Sequence, residues 1–147
     1  MFEVIVVGTD GSQTAHTAVE QAVELAATTG ARLEIVSAYE PVPASRLRAE
    51  GQHAPPDVQW AIGPREDVEE LLQAAAALAV QAGVTAAAHA RQGDPADAIL
   101  DVAEETSAGL IVVGNKGMTG ARRFLLGNVP NKISHHAPCS VLIIRTS

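Results

Sequence analysis

The stretch Leu110-Ile111-Val112-Val113-Gly114-Asn115-Lys116-Gly117 passes from an unbroken apolar run directly into glycine. Consecutive aliphatic residues without polar alternation fit a strand buried on both faces, as in a parallel sheet with helices on either side. The same texture recurs at Val4–Val7, Leu33–Val36 and Val141–Ile144. It is weaker at Val84–Arg91, where alanines leave strand and helix both open.

Helical patterns separate these runs. Across 14–29, Ala15, Ala18, Val19, Ala22 and Ala26 recur at steps of three and four, and Gly30 supplies a stop. Across 66–82, Val68, Leu71, Leu72, Ala75, Leu78, Ala79 and Ala82 form an apolar stripe. Glu66, Asp67, Glu69 and Glu70 lie near the positive end of that helix dipole and read as a solvated start rather than a metal cluster. Asp94-Pro95 has the form of an N-cap followed by proline at the first helical position, opening a helix to about Thr106. Asn128-Val129-Pro130 opens another that ends before Pro138. The order β-α-β-α-β-α-β-α-β predicts a three-layer α/β/α sandwich around a parallel sheet. The segment from 41 to 64, with five prolines and Trp60, reads as a long connection, either a ligand cover or a loop pinned by tryptophan.

At 147 residues, 47% of them hydrophobic, the chain fits one globular domain spanning 1–147. Its net charge of −7 argues against a general nucleic-acid binder, which needs a basic surface to displace counterions. The charge is unevenly distributed. Residues 1–105 hold all 17 acids and five basic residues, a balance of −12. Residues 106–147 hold Lys116, Arg122, Arg123, Lys132 and Arg145 and no acid, which suggests that this third handles an anion. A single cysteine, Cys139, and the absence of a signal peptide or an apolar run of membrane-spanning length lead us to expect a reducing, cytoplasmic setting without membrane contact.

Two predicted strand ends carry unusual sequence. At Gly8-Thr9-Asp10-Gly11-Ser12, Asp10 could accept hydrogen bonds from a ribose or a base, or Asp10 or Ser12 could cap the next helix. From Gly114 to Asn128, four of the chain's twelve glycines fall within fifteen residues. Their backbone can approach a ligand closely, and the helix start that follows favours negative charge. Lys116, Arg122 and Arg123 add positive field, the two arginines standing equally for phosphate contact or an exposed face. Neither the Walker spacing nor the Gly-x-Gly-x-x-Gly of dinucleotide binders is present.

The spacing Gly114-x2-Gly117-x9-Gly127, with Val7-Gly-Thr-Asp-Gly-Ser12 and His136-Ala-Pro-Cys-Ser-Val-Leu-Ile-Ile-Arg145, resembles the universal stress protein family over essentially the whole chain. The resemblance implies a Rossmann-like five-stranded parallel sheet of order 3-2-1-4-5. It also implies a site for ATP or a related adenine nucleotide. Thr9 and Asp10 would lie at the ribose and adenosine, with the Ala38 backbone at the adenine. Gly114, Lys116 and Gly117 would line ribose and phosphates, and Gly127, Asn128 and Val129 would hold the phosphates. Any Mg or Mn ion would be bound through the nucleotide, without a metal site of the protein's own. The family pattern has Ser or Thr where this chain has Asn128, which can cap and donate but lacks the hydroxyl. Gly114-Asn115-x-Gly117 followed by Leu125-Leu126-Gly127-x-Val129-Pro130 is similar to a branch that includes cyclic-AMP binders. The family also implies a homodimer paired through Val141–Ile144.

Three functions are therefore weighed: a dimeric nucleotide-binding stress or signalling protein, a slow ATP hydrolase, and a protein acting through contacts alone. The three-glycine spacing favours the first over the third. Hydrolysis would need a positioned base and a charge stabiliser, and Asp10 is the one obvious carboxylate, so no catalytic residue is assigned. A phosphorylation-receiver domain would call for paired acids after the first strand, which Gly8-Thr9-Asp10 does not offer. His16, His53, His89, His135 and His136 read as structural or surface residues, and Cys139 as a packed thiol.

Overall fold

The computed structural model describes residues 2–39, 64–115 and 129–145. Five strands carry the predicted apolar runs: β1 (Val4–Gly8), β2 (Arg32–Tyr39), β3 (Ala86–Gln92), β4 (Leu110–Gly114) and β5 (Ser140–Ile144). The helices are α1 (Gln13–Thr29), α2 (Pro64–Gln81), α3 (Pro95–Glu105) and α4 (Val129–His136). All pairings are parallel and the order is β3-β2-β1-β4-β5, a Rossmann-like sheet. The alanine-rich run around 84–91 resolves as strand, because Ala86–Gln92 pairs in register with Leu33–Tyr39.

Local chemistry sets the helix ends. Ser12 caps α1, its hydroxyl accepting from the Ala15 amide, and Gly30 ends it in the left-handed conformation at φ 75°. Asp94 caps α3 by accepting from the Asp97 amide, with Pro95 at the first turn as its fixed φ favours.

Alternate residues of the central strands point to opposite layers. Ile5, Val7, Leu33, Ile35, Leu110 and Val112 pack against α1 and α2. Val6, Val36, Ile111 and Val113 pack against Ile99 and Val102 of α3 and Ile133 of α4. Burial of such side chains stabilises by about 1.5–3 kcal/mol each relative to exposure, before conformational entropy is charged against it.

The outer strands depart from this pattern. Helix α3 packs chiefly over β1 and β2 and barely reaches β3. Where that cover ends, the sheet surface becomes polar: the buried Glu34 carboxylate lies 2.9 Å from Arg32 Nε and 2.8 Å from His89 Nε2. On β5, the run Val141–Ile144 is less buried than its composition suggests, with Leu142 40% and Ile143 45% exposed. No helix among the described residues is long and apolar enough to cross a membrane.

Candidate functional site

β1 has β2 on one side and β4 on the other, so the chain's crossovers diverge there and leave a crevice beyond the carboxyl ends of the strands. An open cleft lies at this point, where small-ligand sites of such sheets are found. Its floor is Gly8, Thr9 and Asp10 after β1, Val36, Ser37 and Ala38 of β2, and Val113 and Gly114 of β4. Pro95 and Ile99 of α3 form one wall, and Val129 and Pro130 of α4 close another side.

The loop after β1 is fixed by its own side chains. The Thr9 amide donates to the Val36 carbonyl at 2.9 Å, and the Gly11 amide to Thr9 Oγ1 at 3.2 Å. The Ser12 amide donates to Asp10 Oδ1 at 2.9 Å. Gly11 has φ +80°, where a side chain would be strained. These bonds immobilise Asp10 but satisfy only one of its oxygens. Oδ2 is buried and has no hydrogen-bond partner among the described residues. Such an acceptor is costly, and a hydroxyl or amino donor entering the cleft would relieve the cost.

Three helix N-termini lie near the cleft, and two are already satisfied from within the chain. Ser12 occupies that of α1, and the Asp94 carboxylate occupies that of α3. Helix α4 begins at the cleft with Val129 and Pro130 and has no acid in its first turn. The dipole at that end favours an anion.

The structure brings together Thr9, Asp10, Ala38, Gly114 and Val129 of the predicted site. Lys116, Gly117, Arg122, Arg123, Gly127 and Asn128 lie outside the described residues, as do His53 and Trp60. Ser37, Pro95, Ile99 and Pro130 were not foreseen as cleft residues. Ser37 had a readable signal, since it is a lone hydroxyl inside an apolar strand, next to Ala38.

Other titratable groups take structural positions. His16 Nε2 is 3.3 Å from Glu20, and His135 and His136 are exposed. Cys139 is partly buried against the α3–α4 core, and that burial pushes its thiol pKa up. Lys132, counted from sequence with the basic C-terminal third, lies 2.9 Å from Asp97 and 3.3 Å from Asp94. Its charge is thus compensated by acids of the preceding segment, and the two hydrogen-bonded carboxylates hold its pKa above the usual lysine value.

Comparison with known proteins agrees with this geometry. The model of the "Universal stress protein family" matches residues 1–145. A universal stress protein of Mycobacterium tuberculosis is 34% identical over 147 residues, covering 99% of this chain and 98% of its own. One from Thermus aquaticus is 36% identical over 145 residues, covering 99% of this chain and all of its own. Among solved structures, a universal stress protein in complex with cAMP superposes with a TM-score of 0.71 at 35% identity, covering 99% of both chains. The chain belongs to the universal stress protein family.

Proposed function

We propose that this chain is an adenine-nucleotide-binding universal stress protein that works in stress response or signalling as a single domain. The observation that carries this reading is the buried Asp10 Oδ2, without a hydrogen-bond partner among the described residues, at the cleft beyond β1 and β4. A ribose hydroxyl or an adenine amino group supplies the donor that oxygen lacks. Thr9 and the Ala38 and Gly114 backbone flank sugar and base, and Val129 leads the α4 dipole toward the phosphates. Lys116, Gly117, Gly127 and Asn128 complete the phosphate side, with Arg122 and Arg123 as further phosphate contacts, and any divalent ion arrives with the nucleotide. Among the described cleft residues none pairs Asp10 with a second group suited to activating water, which favours binding over hydrolysis.

Cyclic AMP is the second reading, favoured by the related structure in complex with cAMP. A cyclic phosphate carries one negative charge and makes smaller demands on the position where Asn128 replaces a hydroxyl residue.

The exposed Leu142 and Ile143 on the edge strand β5 support pairing of this strand with its copy in a homodimer. Sedimentation should then report a dimer that a charged substitution at Leu142 dissociates.

Calorimetry of the nucleotide-stripped protein with ATP, ADP, AMP and cyclic AMP, with and without magnesium, tests the binding reading. Saturable binding at one site per chain is expected for at least one of them. No binding to any of the four would overturn it.

A further inference from the structure

Helix α4 has eight residues, too few to be stable alone, and its buried side chains are Val129 and Ile133. Asn131, Lys132, Ser134, His135 and His136 are exposed. Lys132 ties α4 laterally to α3: its Nζ reaches Asp97 Oδ1 at 2.9 Å and Asp94 Oδ2 at 3.3 Å. That same Asp94 oxygen accepts from the Asp97 amide at 3.0 Å and caps α3. The three charges therefore join the first turn of α3 to that of α4. Pro95 directly follows Asp94, Pro130 lies two residues before Lys132, and both prolines line the cleft.

We propose that Lys132 is a positioning residue for the nucleotide cleft, latching the first turn of α4 to that of α3 and neutralising Asp94 and Asp97 beside the phosphate end. This rests on the nucleotide reading above. Lys132 touches no ligand. It sets the distance between two walls and removes the repulsion that two carboxylates would exert on an incoming phosphate. Because the lysine is nearly half exposed, the effect is moderate and salt-dependent.

The test compares wild type, Lys132→Ala and Lys132→Arg by calorimetry with ATP, AMP, cyclic AMP and adenosine. Hydrogen exchange of the α4 amides is measured alongside, without nucleotide. Lys132→Ala should weaken phosphate-bearing ligands about two- to fivefold, the scale of an exposed ion pair, and adenosine less. It should also raise α4 exchange by a similar factor, and Lys132→Arg should restore most of both. Wild-type affinity in Lys132→Ala, even with faster exchange, would overturn the positioning role. Equal damage by alanine and arginine would overturn the charge latch. If the wild type itself binds none of the ligands, the nucleotide reading fails and takes the positioning role with it, while the exchange data still decide whether Lys132 holds α4 to α3.

Discussion

Gly8 lies against Ile99: a Cβ built on Gly8 would stand 3.1 Å from Ile99 Cγ1 and overlap its Cδ1. The glycine that ends β1 therefore serves helix–sheet packing as well as the cleft, since any side chain there would force the end of Ile99 to move. Gly8→Ala should destabilise by about 1–3 kcal/mol, as overpacking does in a dense core. Ile99→Val removes the overlapping methyl and should recover part of that loss in the double variant, although alone it costs about 0.5–1.5 kcal/mol. Urea unfolding of all four proteins measures the coupling. Strict additivity would show that alanine at 8 is accommodated some other way.

Asp10 should separate stability from binding. Asp10→Asn keeps an oxygen for the Ser12 amide and removes the acidic oxygen that is buried without a partner among the described residues. The ligand-free variant should be at least as stable as wild type by thermal unfolding. Its nucleotide affinity should fall by about tenfold or more, since a hydrogen bond to a charged acceptor contributes about 1.5–3 kcal/mol. Parallel loss of stability and affinity would make Asp10 a turn residue only.

The Gly8 and Asp10 results bear on how much the sequence reveals. Strand identity at β1, β2 and β4 was legible because burial on both faces demands unbroken aliphatic runs. The caps at Ser12 and Asp94 and the stop at Gly30 were legible because each depends on one local side chain. For the loop after β1, sequence left ligand contact and capping as alternatives. The structure shows Ser12 capping α1 and Asp10 holding the turn through Oδ1, while ligand contact by Oδ2 belongs to the proposal. Contacts made across the sheet were not legible. Nothing in Gly-Thr-Asp-Gly-Ser announces Ile99 ninety residues on, and nothing in Glu34 announces His89, because register brings those residues together. Lys132 makes the same point: charge counted along the chain groups it with a basic segment, and the fold alone pairs it with Asp94 and Asp97.

Glu34 provides a test at the point where helix cover over the sheet ends. Its carboxylate is buried between Arg32 and His89, and its removal leaves the partly buried His89 without that acceptor. Glu34→Ala should cost about 1.5–3 kcal/mol in chemical denaturation, the range for charged hydrogen bonds. Glu34→Gln, which keeps one acceptor, should cost less. Because the pair joins β2 to the edge strand, amides of Ala86–Gln92 should exchange faster in the alanine variant while those of β1 stay protected. Uniform exchange changes across the sheet would mean that Glu34 contributes only to global stability.

Cys139 should behave as a shielded thiol. Desolvation raises its pKa, so less thiolate is present at neutral pH than in a free cysteine. Alkylation by iodoacetamide at pH 8 should be several-fold slower in the native protein than in urea, and the ratio should collapse on unfolding. Native reactivity equal to that of the unfolded chain would show that the thiol is open to solvent and poorly packed against the core around α3 and α4.

The Arg91–Glu105 pair sets a pH dependence whose sign can be worked out. The guanidinium contacts both carboxylate oxygens, at 3.0 and 2.6 Å. Hydrogen bonding to Arg91 is the main cause that holds the Glu105 pKa below its ordinary value of 4.5, against a smaller opposing effect of burial. A carboxylate with a depressed folded-state pKa contributes stability in full above its ordinary value. That contribution disappears as pH falls through the depressed one. Arg91→Gln should therefore lower the urea midpoint at pH 7, and the difference from wild type should shrink toward zero in acid once Glu105 is protonated in both states. Because the glutamate is exposed, added salt at pH 7 should reduce the difference as well. A deficit that persists unchanged in acid and in high salt would assign the role of Arg91 to packing of its aliphatic stem along β3 rather than to its charge.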